Sequence, residues 1–83
     1  MMNIDCTGVE NAQQMHILLA KSLEFPDYYG HNLDALFDCL TDIRRPTTIR
    51  LAGFSRLGDW KQGFINVFKD CSLENPHVEI LLD

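Results

Sequence analysis

Met2, Ile4 and Cys6 alternate with polar Asn3 and Asp5 at the start of the chain. A period of two predicts a short β-strand over residues 2–6. Thr7-Gly8 marks a turn, after which the period changes. Asn11 with Gln14 three residues later has the form of a capping box. Met15, Leu18 and Leu19 then recur at helical spacing up to Leu23, so residues 12–23 read as a helix. Pro26 stops it, because a residue before proline, here Phe25, is pushed out of the helical region.

Residues 27–31 form a loop with Gly30 as its expected pivot, and Asn32 is placed to cap a second helix that ends near Ile43. At 100° per residue, Leu33, Leu36, Phe37, Leu40 and Ile43 share one side of that helix. Arg44 and Arg45 follow it, well placed for the negative end of its dipole, and Pro46 closes the segment. Thr47 to Ala52 is rich in β-branched and apolar residues and reads as a second strand; residues 53–58 are irregular or at most one short turn. Asp59 is the expected cap of a last helix with Trp60, Phe64, Val67, Phe68 and Cys71 along one stripe. Gly63 inside it costs about 1 kcal/mol relative to alanine. Asn75-Pro76 ends this helix and Val78 to Leu82 is the third strand. Strands that alternate with helices pair in parallel through right-handed crossovers. The expected fold is one α/β domain over residues 1–83: a small three-stranded parallel sheet packed by three to four helices.

Composition narrows the function. A chain of 83 residues with 46% apolar and 23% charged residues is that of a folded globular domain. No apolar run approaches the ~20 residues that span a bilayer. MMNIDCTG has neither a positive nor a hydrophobic targeting region, so the expected location is the cytoplasm. Cys6, Cys39 and Cys71 are odd in number and lack CxxC spacing, which predicts free thiols and neither a disulfide framework nor a metal site. No cofactor motif occurs. A net charge of −5 disfavours direct binding of nucleic acid or of an anionic membrane surface.

That charge is concentrated. Glu24 to Asp42 holds five carboxylates and no lysine or arginine, while the remaining 64 residues are neutral overall. On the second helix Asp34, Asp38, Thr41 and Asp42 fall on one flank, clear of the apolar side. Asp34/Asp38 and Asp38/Asp42 are like-charge i,i+4 pairs, each destabilising by roughly 0.2–0.5 kcal/mol. A solvated helix face is the plain reading. The absence of any compensating cation, together with two tyrosines expected to be exposed in the loop before it, favours a surface meant for a cationic pocket on another protein. Catalysis fits less well. Asp34 and Asp38 lie on one face and do not oppose each other as a hydrolytic pair would. His16, His31 and His77 are far apart in sequence, and no HExxH or DxDxDG spacing occurs. Cys39, beside the apolar side, reads as a small buried thiol. The chain is expected not to be an enzyme.

The run from Pro26 to Thr41, PDYYGHNLDALFDCLT, closely resembles the barstar family, intracellular inhibitors of a secreted bacterial ribonuclease. Val67-Phe68-Lys69-Asp70 and the closing strand continue the resemblance more weakly. It implies the same three-stranded parallel sheet, and an inhibitory surface made of the second helix and the loop before it. By motif position, Asp38 would be the dominant anchor, replacing a substrate phosphate among the nuclease's Arg, Lys and His groups. Asp34 would be a second charged contact, and Tyr28 would pack on a catalytic histidine. Gly30, Asn32, Leu33 and Thr41 would line the contact, with Asp70 an outlying acidic contact. His31 stands where the family's type member has an acid and would adjust the fit to a less basic rim; Phe37 and Ile43 replace aromatic residues. The stretch between Pro46 and Val67 is shorter, so the family's third helix would be reduced or absent. The implied partner is a basic extracellular-type ribonuclease, bound one-to-one by a monomer. The same anionic face would also suit an immunity or interaction module that docks on a basic protein other than a ribonuclease.

Overall fold

A computed structural model describes residues 1–83. Three parallel strands, β1 (Met2–Asp5), β2 (Thr47–Ala52) and β3 (Val78–Leu82), form one sheet in the order β1-β2-β3. Ile4 lies opposite Leu51, and Ile49 opposite Ile80. Pairing continues past the end of β1, where the Cys6 N–H donates to the Ala52 carbonyl at 2.9 Å. The helices are α1 (Ala12–Ser22), α2 (Leu33–Thr41) and α3 (Lys61–Glu74), with a single 3-10 turn at Phe54–Arg56 between β2 and α3. The α/β class, the parallel pairing and three helices agree with the expectation from sequence.

The alternation along the strands sorts the sheet into two faces. Ile4, Ile49, Leu51 and Val78 are buried, together with Met15 and Leu19 of α1, Leu36 and Leu40 of α2, and Phe64, Phe68 and Cys71 of α3. Asn3, Asp5, Arg50 and Glu79 point the other way and are exposed. Parallel sheets are usually covered on both faces; here the second face is polar enough to meet water. The molecule's one ion pair, Arg50 with Asp83, involves this face.

Three local details depart from the sequence pattern. At the start of α1 the Asn11 Oδ1 accepts from the Gln14 N–H at 2.9 Å as a capping residue should, but the Gln14 side chain reaches one residue further back, accepting from the Glu10 N–H at 2.8 Å. Asp59 does not cap α3. Trp60 precedes that helix with helical angles and no side-chain bond, and the Gly58 and Asp59 carbonyls already accept from Lys61 and Gln62 at 3.1 Å. A turn thus winds directly into α3, leaving no extended residue from which a carboxylate could cap. Gly63 has a packing purpose: a Cβ there would lie 2.7 Å from Leu33 Cδ1, so the missing side chain lets α3 come close to the start of α2.

Candidate partner-binding site

The segment that enters α2 is a tight loop whose two tyrosines have opposite fates. Tyr28 is 87% exposed, whereas Tyr29 is 5% exposed. The expectation that both face solvent is therefore wrong for Tyr29. Its ring packs on Phe25 with centroids 4.9 Å apart, and its hydroxyl meets Nδ1 of His16 at 2.6 Å in the interior. A buried phenol is retained where its hydroxyl finds a partner. Burial, and then Cys39, push the Tyr29 hydroxyl far above an ordinary phenol, so it stays protonated.

His16 sits on α1 with its ring 4.8 Å from that of Phe64, and burial followed by the charge of His31 holds its pKa below the usual histidine value. The His16 and His31 rings are 6.5 Å apart, so two histidines remote in sequence are neighbours in space. Tyr29 already occupies Nδ1 of His16, and the arrangement anchors the loop.

Gly30 is not the pivot. The left-handed residue is His31, with φ of 52°, a conformation that costs a non-glycine residue roughly 1–2 kcal/mol. Gly30 contributes space: a Cβ would stand 2.8 Å from Asn32 Nδ2, which donates to the Gly30 carbonyl at 3.2 Å. Asn32 caps α2 as its position predicts. Its backbone is extended, and its Oδ1 accepts from the Ala35 N–H at 2.8 Å.

The other end of α2 is held by a residue that sequence reading took only as a terminator. Asn75 is buried, and its side-chain amide reaches the carbonyls of Leu40 (3.0 Å), Thr41 (3.3 Å) and Ile43 (2.9 Å), while its Oδ1 accepts from the His77 N–H. The Leu40 and Thr41 carbonyls are among those a helix leaves without intrahelical partners at its C-terminus, and Ile43 follows just beyond it. Arg44 adds a bond to the Thr41 carbonyl at 3.1 Å, as expected of a cation at this end. Arg45 does not share in this; its side chain has no hydrogen-bond or ion-pair partner. Helix α2 ends at Thr41 with Asp42 as its C-cap, so Ile43 lies beyond it.

The outward side of α2 carries the predicted contact residues. Asp34 and Asp38 are exposed, and no lysine or arginine pairs with either. Leu33 is half-buried at the first turn, and the half-buried Thr41 directs its hydroxyl to the Phe37 and Asp38 carbonyls at 2.9 and 3.1 Å. Asp70 of α3, distant in sequence, joins them. Leu33, Asp34, Phe37, Asp38, Val67 and Asp70 line one hollow of about 330 Å³ with three carboxylates around apolar walls. On the opposite flank, Tyr28, Asp38 and Thr41 border a second, larger groove. Asp38 belongs to both concavities, so its carboxylate stands on the ridge between them. Cys39 beside it is half-buried, and not buried as expected; burial, then Asp42 and Asp38, raise its pKa and keep the thiol protonated.

Sequence reasoning missed His16, Asn75 and the packing role of Gly63 as supports of this surface. The available signals were a histidine within an apolar helix stripe and an asparagine in place of glycine after α3. Neither says which distant group it meets.

Residues 1–79 match the profile of a family described as Barstar (barnase inhibitor). The chain is also 42% identical, over 72 residues, to the "Putative ribonuclease inhibitor YrdF" of Bacillus subtilis (strain 168). That similarity covers 86% of this chain and 75% of the relative. No helix is long and apolar enough to cross a membrane. The chain belongs to the barstar family.

Proposed function

We propose that this chain inhibits a secreted ribonuclease inside the producing cell by closing the nuclease active site with α2 and the Tyr28–Asn32 loop. Family membership and the similarity to a relative named as a ribonuclease inhibitor support inhibition of a ribonuclease. The observation that carries the mechanism is Asp38. Its carboxylate is exposed and unpaired, and it stands on a ridge between two concavities, with Asp34 and Asp70 on one side and Tyr28 and Thr41 on the other. A ridge fits into a cleft, and a carboxylate at its crest can take the place of a phosphate among the cations of a nuclease. Gly30, Asn32 and Leu33 shape the loop and first turn that sit beside this crest, and Tyr28 offers a free aromatic face. His31 adjusts the rim. The chain acts as a monomer in a one-to-one complex in the cytoplasm, and it performs no catalysis.

Occlusion makes a kinetic prediction. Inhibition of the nuclease should be competitive with RNA, and association should slow as salt rises, because screening removes charge steering beyond ~8–10 Å at physiological ionic strength. A ternary complex of nuclease, RNA and this chain would overturn the mechanism. Specific capture of a basic protein without nuclease activity, with no ribonuclease inhibited, would instead favour a docking module.

A further inference from the structure

The groove on the Tyr28 flank of α2 has a feature that an all-acidic plug does not need. It holds about 920 Å³, and its floor includes the apolar side chains of Leu23, Phe25, Pro26 and Ile43. Its charged lining carries both signs: Glu24, Asp38 and Asp42 together with Arg44 and Arg45. None of these five side chains forms an ion pair with another, although all are exposed; the molecule's single ion pair lies on the sheet. Arg44 is occupied by the end of α2. Arg45 is not: its side chain has no hydrogen bond, and none of the three carboxylates that line the same groove pairs with it.

We infer that Arg45 is a specificity-determining contact: the groove receives a loop of the same ribonuclease that bears a carboxylate beside an apolar side chain. The carboxylate meets Arg45 while the apolar side chain covers Phe25 and Ile43. Two observations select this occupant. The groove is continuous with the proposed inhibitory surface, sharing Tyr28, Asp38 and Thr41 with it. A uniformly basic partner would leave Arg45 facing like charge, which costs an interface dearly. The inference rests on the reading of the chain as a ribonuclease inhibitor and adds to it a rule of partner choice. Nucleases with an acidic residue on that rim are bound tightly, and those with a lysine or arginine there are rejected.

The sign of one substitution tests this. Arg45→Glu changes the net charge from −5 to −7. So does Arg56→Glu in the 3-10 turn, where the arginine is exposed and outside both concavities. If only overall charge matters, both changes speed association with a basic nuclease. If Arg45 meets a carboxylate, Arg45→Glu weakens binding by about tenfold or more, mostly through faster dissociation, while Arg56→Glu binds at least as tightly as wild type. The probe is whichever enzyme wild type inhibits best in a panel of purified small basic bacterial ribonucleases, with thermal melts confirming that each variant is folded. Arg45→Glu that binds as tightly as Arg56→Glu, while Asp38→Ala is strongly weakened, overturns the groove contact and leaves the inhibitor reading intact. A wild-type chain that inhibits no member of the panel, yet captures a non-nuclease, overturns both.

Discussion

The two sides of α2 follow opposite rules. Outward, Asp34, Asp38 and Asp42 are exposed like charges with no partner. Inward and at both ends, polar groups are matched: Asn32 closes the first turn, Asn75 gathers the last carbonyls, and His16 holds the hydroxyl of Tyr29. No buried side-chain nitrogen or oxygen lacks a hydrogen bond. The difference teaches how a small domain can tolerate a destabilising surface. Each like-charge pair costs only a few tenths of a kcal/mol, whereas an unsatisfied buried polar group costs about 1–3 kcal/mol. The support is therefore complete, and the repulsion is confined to water, where a cationic partner can relieve it.

Asp38→Ala is the strongest way to break this comparison. Removing one member of a buried charge pair typically costs ~2–5 kcal/mol or more of binding, a range to which complexes of this family contributed. Folding should be unchanged or slightly improved, since two i,i+4 repulsions vanish and alanine favours helix. Asp42→Ala, at the C-cap, should cost binding much less. Dissociation rates and melts of the three proteins check this; an unfolded Asp38→Ala would make the residue structural.

Asn75→Ala should do the reverse. It leaves the Ile43 carbonyl without its donor and removes one of the donors to the Leu40 and Thr41 carbonyls, at an expected cost of about 2–3 kcal/mol of stability. For a domain of this size that corresponds to a fall in Tm of roughly 10–20 °C. Below its melting range the variant should still bind, with a loss smaller than that of Asp38→Ala. A melt within a few degrees of wild type would show that water replaces the amide.

His16 sharpens the inward side through pH. Its folded pKa is depressed below 6.5, chiefly by burial, so the unfolded chain takes up the proton first. Its share of stability is present above about pH 6.5, falls as pH drops through 6.5, and levels off once the folded pKa is passed. Melts between pH 7.5 and 5.5 should show this decline, and His16→Gln should reduce it.

The smallest effect belongs to the outward histidine. His31→Gln keeps the polarity of the rim and should shift affinity for the nuclease only slightly, as read from dissociation rates at a single pH. A dissociation rate equal to that of wild type would leave His31 as a bystander in the contact.

Much of this molecule is written locally. Alternation in Met2–Cys6 and the apolar run of Thr47–Ala52 announce strands, and Asn11 and Asn32 announce helix starts, because strand period and N-capping depend on residues close in sequence. The acidic flank of α2 follows from helical spacing in the same way. Gly63, read locally, is only a weak point in a helix; the approach of Leu33 gives its missing side chain a use in packing.

What the chain could not disclose by pattern is whatever depends on a distant partner. The Tyr28-Tyr29 pair is chemically symmetrical in sequence, and only the position of His16 on a separate helix decides which tyrosine is buried. Asn75 looks like an ordinary helix terminator until α2 is packed beside it, and Asp70 joins Asp34 and Asp38 only because α3 runs along α2. Sequence by itself therefore determined the elements and the charge of the acidic helix α2. Tertiary structure decided which side chains hold that helix and which are left exposed, because burial and hydrogen bonding between remote segments are properties of packing.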